Sequence, residues 1–136
     1  MGRAGSGDMA KILLVDDDPL QAFVRKSILE KRFHDVQRAS DAAEALCLVE
    51  QPLFAGELGL VISGLRNHGI GGPAFVAELH ARLPSVPVLV LGGAKEVPAD
   101  YSAEGVRFLP RPCASEELLA AASQMLAEKV VGHDGR

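Results

Sequence analysis

Short apolar runs and amphipathic stretches alternate along this chain. Continuous apolar runs at residues 11–15, 58–63 and 86–91 predict strands that are buried on both faces. Shorter strands are predicted around Val36 and at residues 106–109. Apolar residues at helical spacing separate the runs. Five strands that alternate with helices predict a parallel sheet covered by helices on both faces.

The first predicted helix begins at Pro19, since proline suits the first helical turn. Apolar residues recur in it at helical spacing and are expected to face the core. This stripe consists of Leu20, Phe23, Val24, Ile28 and Leu29. The basic residues of the same segment, Arg25 and Lys26 among them, are predicted to form a solvated face.

The remaining helices are marked by their capping and breaking residues. Ser40 is the predicted N-cap of the second helix, which Pro52 ends. Pro98 prevents a regular helix after the fourth strand, so the fourth helix should be short or irregular. The last helix should run from Glu116 to about residue 129.

Length and composition place the chain among single-domain globular proteins. It has 136 residues, of which 48% are hydrophobic and 24% charged. We expect a disordered lead-in at residues 1–8, one domain at 9–130 and a loose tail at 131–136. A net charge of −4 argues against nucleic-acid binding by the chain itself. No apolar run is long enough to span a membrane.

The cysteine content indicates a reducing, cytoplasmic environment. Cys47 and Cys113 are the two cysteines, and neither belongs to a CxxC pair. Cys47 is expected to be a buried structural thiol.

Candidate site residues follow from the predicted sheet, because sites in parallel sheets lie at the carboxyl ends of the strands. Asp16, Asp17 and Asp18 follow the first strand. The residues after the other strands are Gly64, Leu65 and Arg66, then Gly92 and Gly93, then Arg111 and Pro112.

Four segments in this order resemble the receiver domain of bacterial two-component response regulators. They are "ILLVDDDP", "LVISGLRNHGIGG", "VPVLVLGG" and "FLPRP". The resemblance covers roughly residues 9–130. It implies a flavodoxin-like (βα)5 three-layer sandwich with strand order 2-1-3-4-5, and a function in phosphorelay signal transduction and not as an enzyme.

The resemblance also implies roles for the site residues. In the family, an acidic pair after strand one holds magnesium, and an aspartate after strand three accepts a phosphoryl group from a histidine kinase. A hydroxyl residue after strand four and a lysine after strand five then contact that group. The acidic pair is matched by Asp16 and Asp17.

The other positions depart from the family or match its accessory features. Gly64 stands at the acceptor position, Gly92 at the hydroxyl position and Arg111 at the lysine position. Pro112 matches the proline that often follows a cis peptide bond. Phe108 matches the aromatic residue that often reports the switch.

These departures predict a degenerate receiver that acts by protein–protein contact without phosphorylation. Magnesium binding by Asp16 and Asp17 should be weak, with the carbonyl of Arg66 as a further ligand, or should not occur. We expect Arg111 to pair with Asp16 or Asp17.

The predicted partners are signalling proteins, either a histidine kinase or an output protein. They would dock on the face formed by residues 93–104, strand five and the last helix, which could also form a homodimer.

Two alternatives stay open. The backbone amides of Gly64 and Gly92, with Arg111, could cradle a small anion, which would make the domain a ligand sensor. The domain could also accept a phosphoryl group at a non-standard residue, such as Asp17 or Ser63.

Overall fold

The computed structural model describes residues 10–65, 72–93 and 96–135, with backbone only from residue 129 onward. The predicted lead-in at residues 1–8 and residues 66–71 of the loop after strand three lie outside the described residues. The described strands are β1 (Lys11–Val15), β2 (Asp35–Ala39), β3 (Leu58–Ser63), β4 (Val88–Gly92) and β5 (Val106–Pro110). The described helices are α1 (Pro19–Glu30), α2 (Ala42–Val49), α3 (Pro52–Glu57), α4 (Gly72–Arg82), a 3-10 helix (Pro98–Tyr101) and α5 (Ser115–Gly135).

The five strands form one parallel sheet in the order β2-β1-β3-β4-β5, as predicted. In register, Val15 pairs with Ala39 on one side and with Ser63 on the other. Ser63 pairs in turn with Val90 of β4. The carboxyl ends of β1, β3 and β4 therefore meet at one edge of the sheet.

The central strands are buried on both faces of the sheet. All residues of β3 and β4 are buried, and so is every residue of β1 except Lys11. One apolar cluster joins alternate strand residues, such as Leu13 and Val61, to α2 and α4. The other joins Leu14 and Ile62 to α1 and α5. These clusters form the two halves of the core, one on each side of the sheet.

The face that α1 turns to the sheet differs from the prediction. Its buried residues are Ala22, Arg25 and Leu29. Leu20 and Phe23 are 71% and 70% exposed, although we predicted them in the inner stripe. The predicted solvated face is also wrong at Arg25. The physical reason is a buried partner for this arginine, Asp16, which holds the helix in this rotation.

The second helix begins one residue later than predicted, with a different cap. Asp41 is the N-cap, and its side chain accepts a hydrogen bond from the Glu44 backbone N–H at 2.8 Å. The Ser40 hydroxyl instead donates to the Glu44 carboxylate at 2.9 Å. Pro52 begins the short helix α3. Proline is tolerated in this first turn because the backbone N–H that it lacks would have no partner within the helix.

Other boundaries shift modestly. The predicted short fourth helix is the 3-10 helix, and α5 continues past the expected end near residue 129 as far as Gly135, since no proline interrupts it.

The prediction that Cys47 is a buried thiol is wrong. Cys47 is exposed, because α2 turns Ala42, Ala45 and Val49 inward. Among the described residues, none of the helices combines the length and apolar character that crossing a membrane requires.

Candidate functional site

Backbone hydrogen bonds extend the sheet pairing just beyond the strands and bring the predicted site residues together. The Gly64 amide donates to the Val15 carbonyl at 2.7 Å, and the Arg111 amide donates to the Gly92 carbonyl at 2.7 Å. The Asp16 amide donates to the Ala39 carbonyl at 3.0 Å. The structure therefore places Asp16, Gly64, Gly92 and Arg111 along one edge of the sheet.

A buried ion pair lies at the centre of this edge. The Asp16 side chain is 1% exposed, and its Oδ2 accepts a hydrogen bond from Arg25 Nη1 at 2.6 Å. The Arg25 side chain, which comes from α1, is 10% exposed. A buried carboxylate needs a compensating charge or donor, because burial disfavours its ionised form. Arg25 supplies both.

The remaining polar atoms of Asp16 are also satisfied. Its Oδ1 accepts from the Asp18 amide at 3.0 Å, and its carbonyl accepts from Arg38 Nε and Nη2 at 3.1 and 2.9 Å. The Asp18 side chain accepts from the Leu20 and Gln21 amides, which caps α1. Asp16 is thus held between β1, β2 and the start of α1.

Gly64 leaves the room that the Arg25 guanidinium occupies. A Cβ atom at Gly64 would lie 2.8 Å from Arg25 Nη1 and 3.2 Å from Asp16 Oδ2. Real Cβ atoms do not approach other heavy atoms as closely as 2.8 Å. A side chain at position 64 would therefore require the end of the flexible Arg25 side chain to shift.

Gly92 is covered by an aromatic ring. A Cβ atom at Gly92 would lie only 2.1 Å from two ring carbons of Phe108 on β5. Phe108 stacks on Tyr101, with ring centroids 5.6 Å apart and planes at 25°. The Tyr101 hydroxyl donates to the Glu96 carboxylate at 2.5 Å, and burial raises the pKa of this phenol. The stacked pair fixes the ring over Gly92.

The other predicted site residues lie around this centre. Asp17 is half-buried beside Asp16, and the peptide bond between Arg111 and Pro112 is cis. A Cβ at Gly93 would lie 3.5 Å from Arg111 Nη2. Arg25 is an arginine that pairs with Asp16, and the predicted pairing of Arg111 with Asp16 or Asp17 stays a prediction.

Sequence reasoning missed Arg25, the residue that contributes most to this site. A signal was present: Arg25 lies three residues after Ala22 and four before Leu29, so helical spacing puts the three on one face. Neighbouring basic residues favoured a solvated face for Arg25. A more apolar stripe on another side of the helix, which includes Leu20 and Phe23, was predicted to be buried instead. A buried arginine also needs a specific partner, which the linear sequence does not display.

The arrangement limits what the site can do chemically. Glycines at positions 64 and 92 offer no carboxylate, hydroxyl or thiol as a nucleophile. Within the part of the chain that the structure describes, no group of three or more His, Cys, Asp or Glu side chains could hold a metal ion. The site contains the buried ion pair of Asp16 with Arg25, which lies next to Gly64.

Comparisons with other proteins agree with this fold. A family model described as the response regulator receiver domain matches residues 12–123. A crystal structure of a response regulator receiver domain protein from Clostridium thermocellum superposes with a TM-score of 0.83, at 23% identity. That similarity covers 90% of this chain and 98% of the other chain.

Curated relatives show the same similarity at the level of sequence. Sensor kinase CckA of Brucella abortus (strain 2308) is 27% identical over 126 residues, which are 88% of this chain but 13% of that kinase. Protein PilH of Pseudomonas aeruginosa is 27% identical over 125 residues, 88% of this chain and 99% of PilH. The chain therefore spans a small part of the first relative and nearly all of the second.

Replacing Arg25 tests the buried ion pair. We expect Arg25→Met to lower the free energy of unfolding by about 3–5 kcal/mol, because the Asp16 carboxylate stays buried without its cation. Lys26→Met removes the same charge from an exposed pair on the same helix and should cost about 0.5 kcal/mol or less. Urea unfolding followed by far-ultraviolet circular dichroism measures both. Equal costs for the two variants would contradict the ion pair's role.

Alanine substitutions of Gly92 and Gly93 test whether the Phe108 ring covers Gly92. Gly92→Ala should destabilise the fold by about 1–3 kcal/mol, because its Cβ overlaps the Phe108 ring. Gly93→Ala, whose Cβ makes only an ordinary contact, should cost clearly less. The Gly92→Ala cost should shrink in a Phe108→Ala background, as thermal unfolding would show. If Gly92→Ala destabilised the Phe108→Ala variant as much as the wild type, the Phe108 ring would not lie over Gly92.

Proposed function

The chain belongs to the response regulator receiver domain family of two-component signalling, and from this premise we propose that it signals by protein–protein contact without accepting a phosphoryl group. The observation that carries the proposal is the state of the acceptor position. Gly64 supplies no oxygen there, and Arg25 Nη1 lies 2.8 Å from where the Cβ of a side chain at position 64 would be. Receiver domains are typically signalling domains and not enzymes.

Phosphoryl transfer to a side chain needs a nucleophile in line with the donor and groups that stabilise charge on the moving phosphoryl. Gly64 removes the first requirement. At Gly92, where the family places a hydroxyl, the Phe108 ring fills the space that a side chain would enter. Both losses affect phosphoryl transfer to the domain, which supports a receiver domain that does not accept a phosphoryl group.

A non-standard acceptor has less support. Ser63 is 5% exposed and pairs in register with Val15 and Val90. Those two valines belong to the apolar cluster beneath α2 and α4, and residues paired in register share a face. The Ser63 side chain therefore lies away from the α1 side of the sheet, where Asp16 meets Arg25.

The anion-sensor alternative also has less support. A cradle for an anion needs backbone amides that point into the site. The Gly64 amide already donates to the Val15 carbonyl at 2.7 Å. The Arg25 guanidinium, which lies next to position 64, is already paired with Asp16.

We propose that a histidine kinase or an output protein docks on the β5 face, defined here as residues 96–101, β5 and α5. The sheet order leaves β5 as an edge strand, and Val97 beside it is 52% exposed. Phe108 and Leu109 are only partly buried. A homodimer, if this chain forms one, would use the same face.

The exposed residues of α1 form a second apolar surface. Leu20, Phe23 and Val24 lie at helical spacing and are 46–71% exposed. Exposed apolar patches often mark contact sites. This surface lies on a different element from the β5 face, so the two can be tested separately.

We propose that the protein is cytoplasmic. Cys47 and Cys113 are both free thiols in the structure. A reducing compartment maintains that state.

Treatment with a small phosphodonor tests the absence of phosphoryl transfer. We expect no increase in intact mass after incubation with acetyl phosphate and magnesium, while a phosphorylatable receiver domain treated in parallel gains one phosphoryl group. Gly64 offers no oxygen to the donor. A stable adduct that disappears in Ser63→Ala or Asp17→Asn would overturn the proposal and locate the acceptor.

Site-specific photocrosslinking in host cells tests the docking surface. With benzoylphenylalanine at Val97, we expect an adduct that mass spectrometry identifies as a histidine kinase or a response-regulator output protein. Leu53, which is 84% exposed on α3, is the matched control and should give none. An adduct formed only from Phe23 would move the docking site from the β5 face to α1.

A further inference from the structure

We infer that Arg25 is the resident cation of the receiver pocket and excludes a divalent metal ion from it. The inference deepens the proposed function by naming what neutralises the acidic pocket once phosphoryl chemistry is lost. It concerns the charge and space around Asp16, and its test measures metal binding and not phosphorylation.

Electrostatics requires a cation beside Asp16. The carboxylate is almost fully buried, and the effective penalty for an uncompensated buried charge amounts to several kcal/mol. Magnesium supplies that compensation in the family that this chain resembles. Here the Arg25 guanidinium lies 2.6 Å from Asp16 Oδ2, within hydrogen-bonding distance. Arginine keeps its charge at every physiological pH, so this compensation is permanent.

The donors at Asp16 and at position 64 do not fit magnesium. Magnesium requires near-octahedral oxygen ligands at about 2.0–2.1 Å. Asp16 Oδ2 is engaged by Arg25 and Oδ1 by the Asp18 amide. Gly64 contributes no carboxylate. A dication bound to Oδ2 would also meet the positive guanidinium at close range, which opposes its binding.

The end of the Arg25 side chain lies next to position 64, where a Cβ would be 2.8 Å from Nη1. Because that end is flexible, a side chain at position 64 would shift the guanidinium without removing its charge from the pocket. Restoring a carboxylate at position 64 should therefore not restore metal binding unless Arg25 is removed as well.

The test compares three proteins by thermal unfolding with and without magnesium chloride. They are Gly64→Asp, the double variant Arg25→Gln with Gly64→Asp, and Lys26→Gln with Gly64→Asp as the charge-matched control. Arg25→Gln removes the charge and keeps a hydrogen-bond donor for Asp16, which helps the double variant to fold. We expect magnesium to raise the Tm of the Arg25→Gln double variant by about 3 °C or more at ten times its Kd. The other two variants should show no shift.

An equal magnesium response in Gly64→Asp alone would overturn the inference, because Arg25 would then not exclude the ion. So would absence of a response in the well-folded double variant. Isothermal titration of the wild-type chain with magnesium provides a measurement that needs no variant. We expect no saturable heat, and one-to-one binding at submillimolar Kd would refute the inference. None of these outcomes depends on whether acetyl phosphate modifies the chain.

Discussion

The buried ion pair between Arg25 and Asp16 is the constraint on which the site geometry depends. It joins α1 to the end of β1 and sets the rotation of that helix. With Arg25 directed inward, Leu20 and Phe23 are left on the outside. The pair also lies next to position 64, where a Cβ would be 2.8 Å from Arg25 Nη1. One interaction thus connects helix orientation, surface character and the state of the acceptor position.

The sheet order is that of a receiver domain. In our proposal Gly64 and Gly92 take the family's acceptor and hydroxyl positions, with the Arg25 guanidinium next to the first and the Phe108 ring over the second. A fold can retain its architecture while its site changes, since the layers are stabilised by core packing and not by the reacting groups. In our proposal the surfaces, and not the pocket, carry the signal.

The sequence was sufficient for the architecture because its apolar runs are short, continuous and separated by clear breaking residues. The strand order followed from the resemblance, and the placement of Gly64 and Gly92 at one edge followed from parallel topology. The rotation of α1 could not be predicted, since Leu20, Phe23 and Val24 offered a more apolar stripe than Ala22, Arg25 and Leu29. Only the three-dimensional proximity of Asp16 makes the second stripe the buried one. The Phe108 ring over Gly92 likewise depends on side-chain packing that spacing does not encode.

Nuclear magnetic resonance of the arginine side chains tests the central claim most directly, with Arg25 assigned by its loss in Arg25→Lys. A guanidinium held against a buried carboxylate rotates slowly and is shielded from water. We predict resolved Arg25 Nη signals with slow hydrogen exchange, unchanged by magnesium or beryllofluoride. Averaged, fast-exchanging signals like those of exposed arginines, or a shift on addition of magnesium, would show that Arg25 does not occupy the pocket.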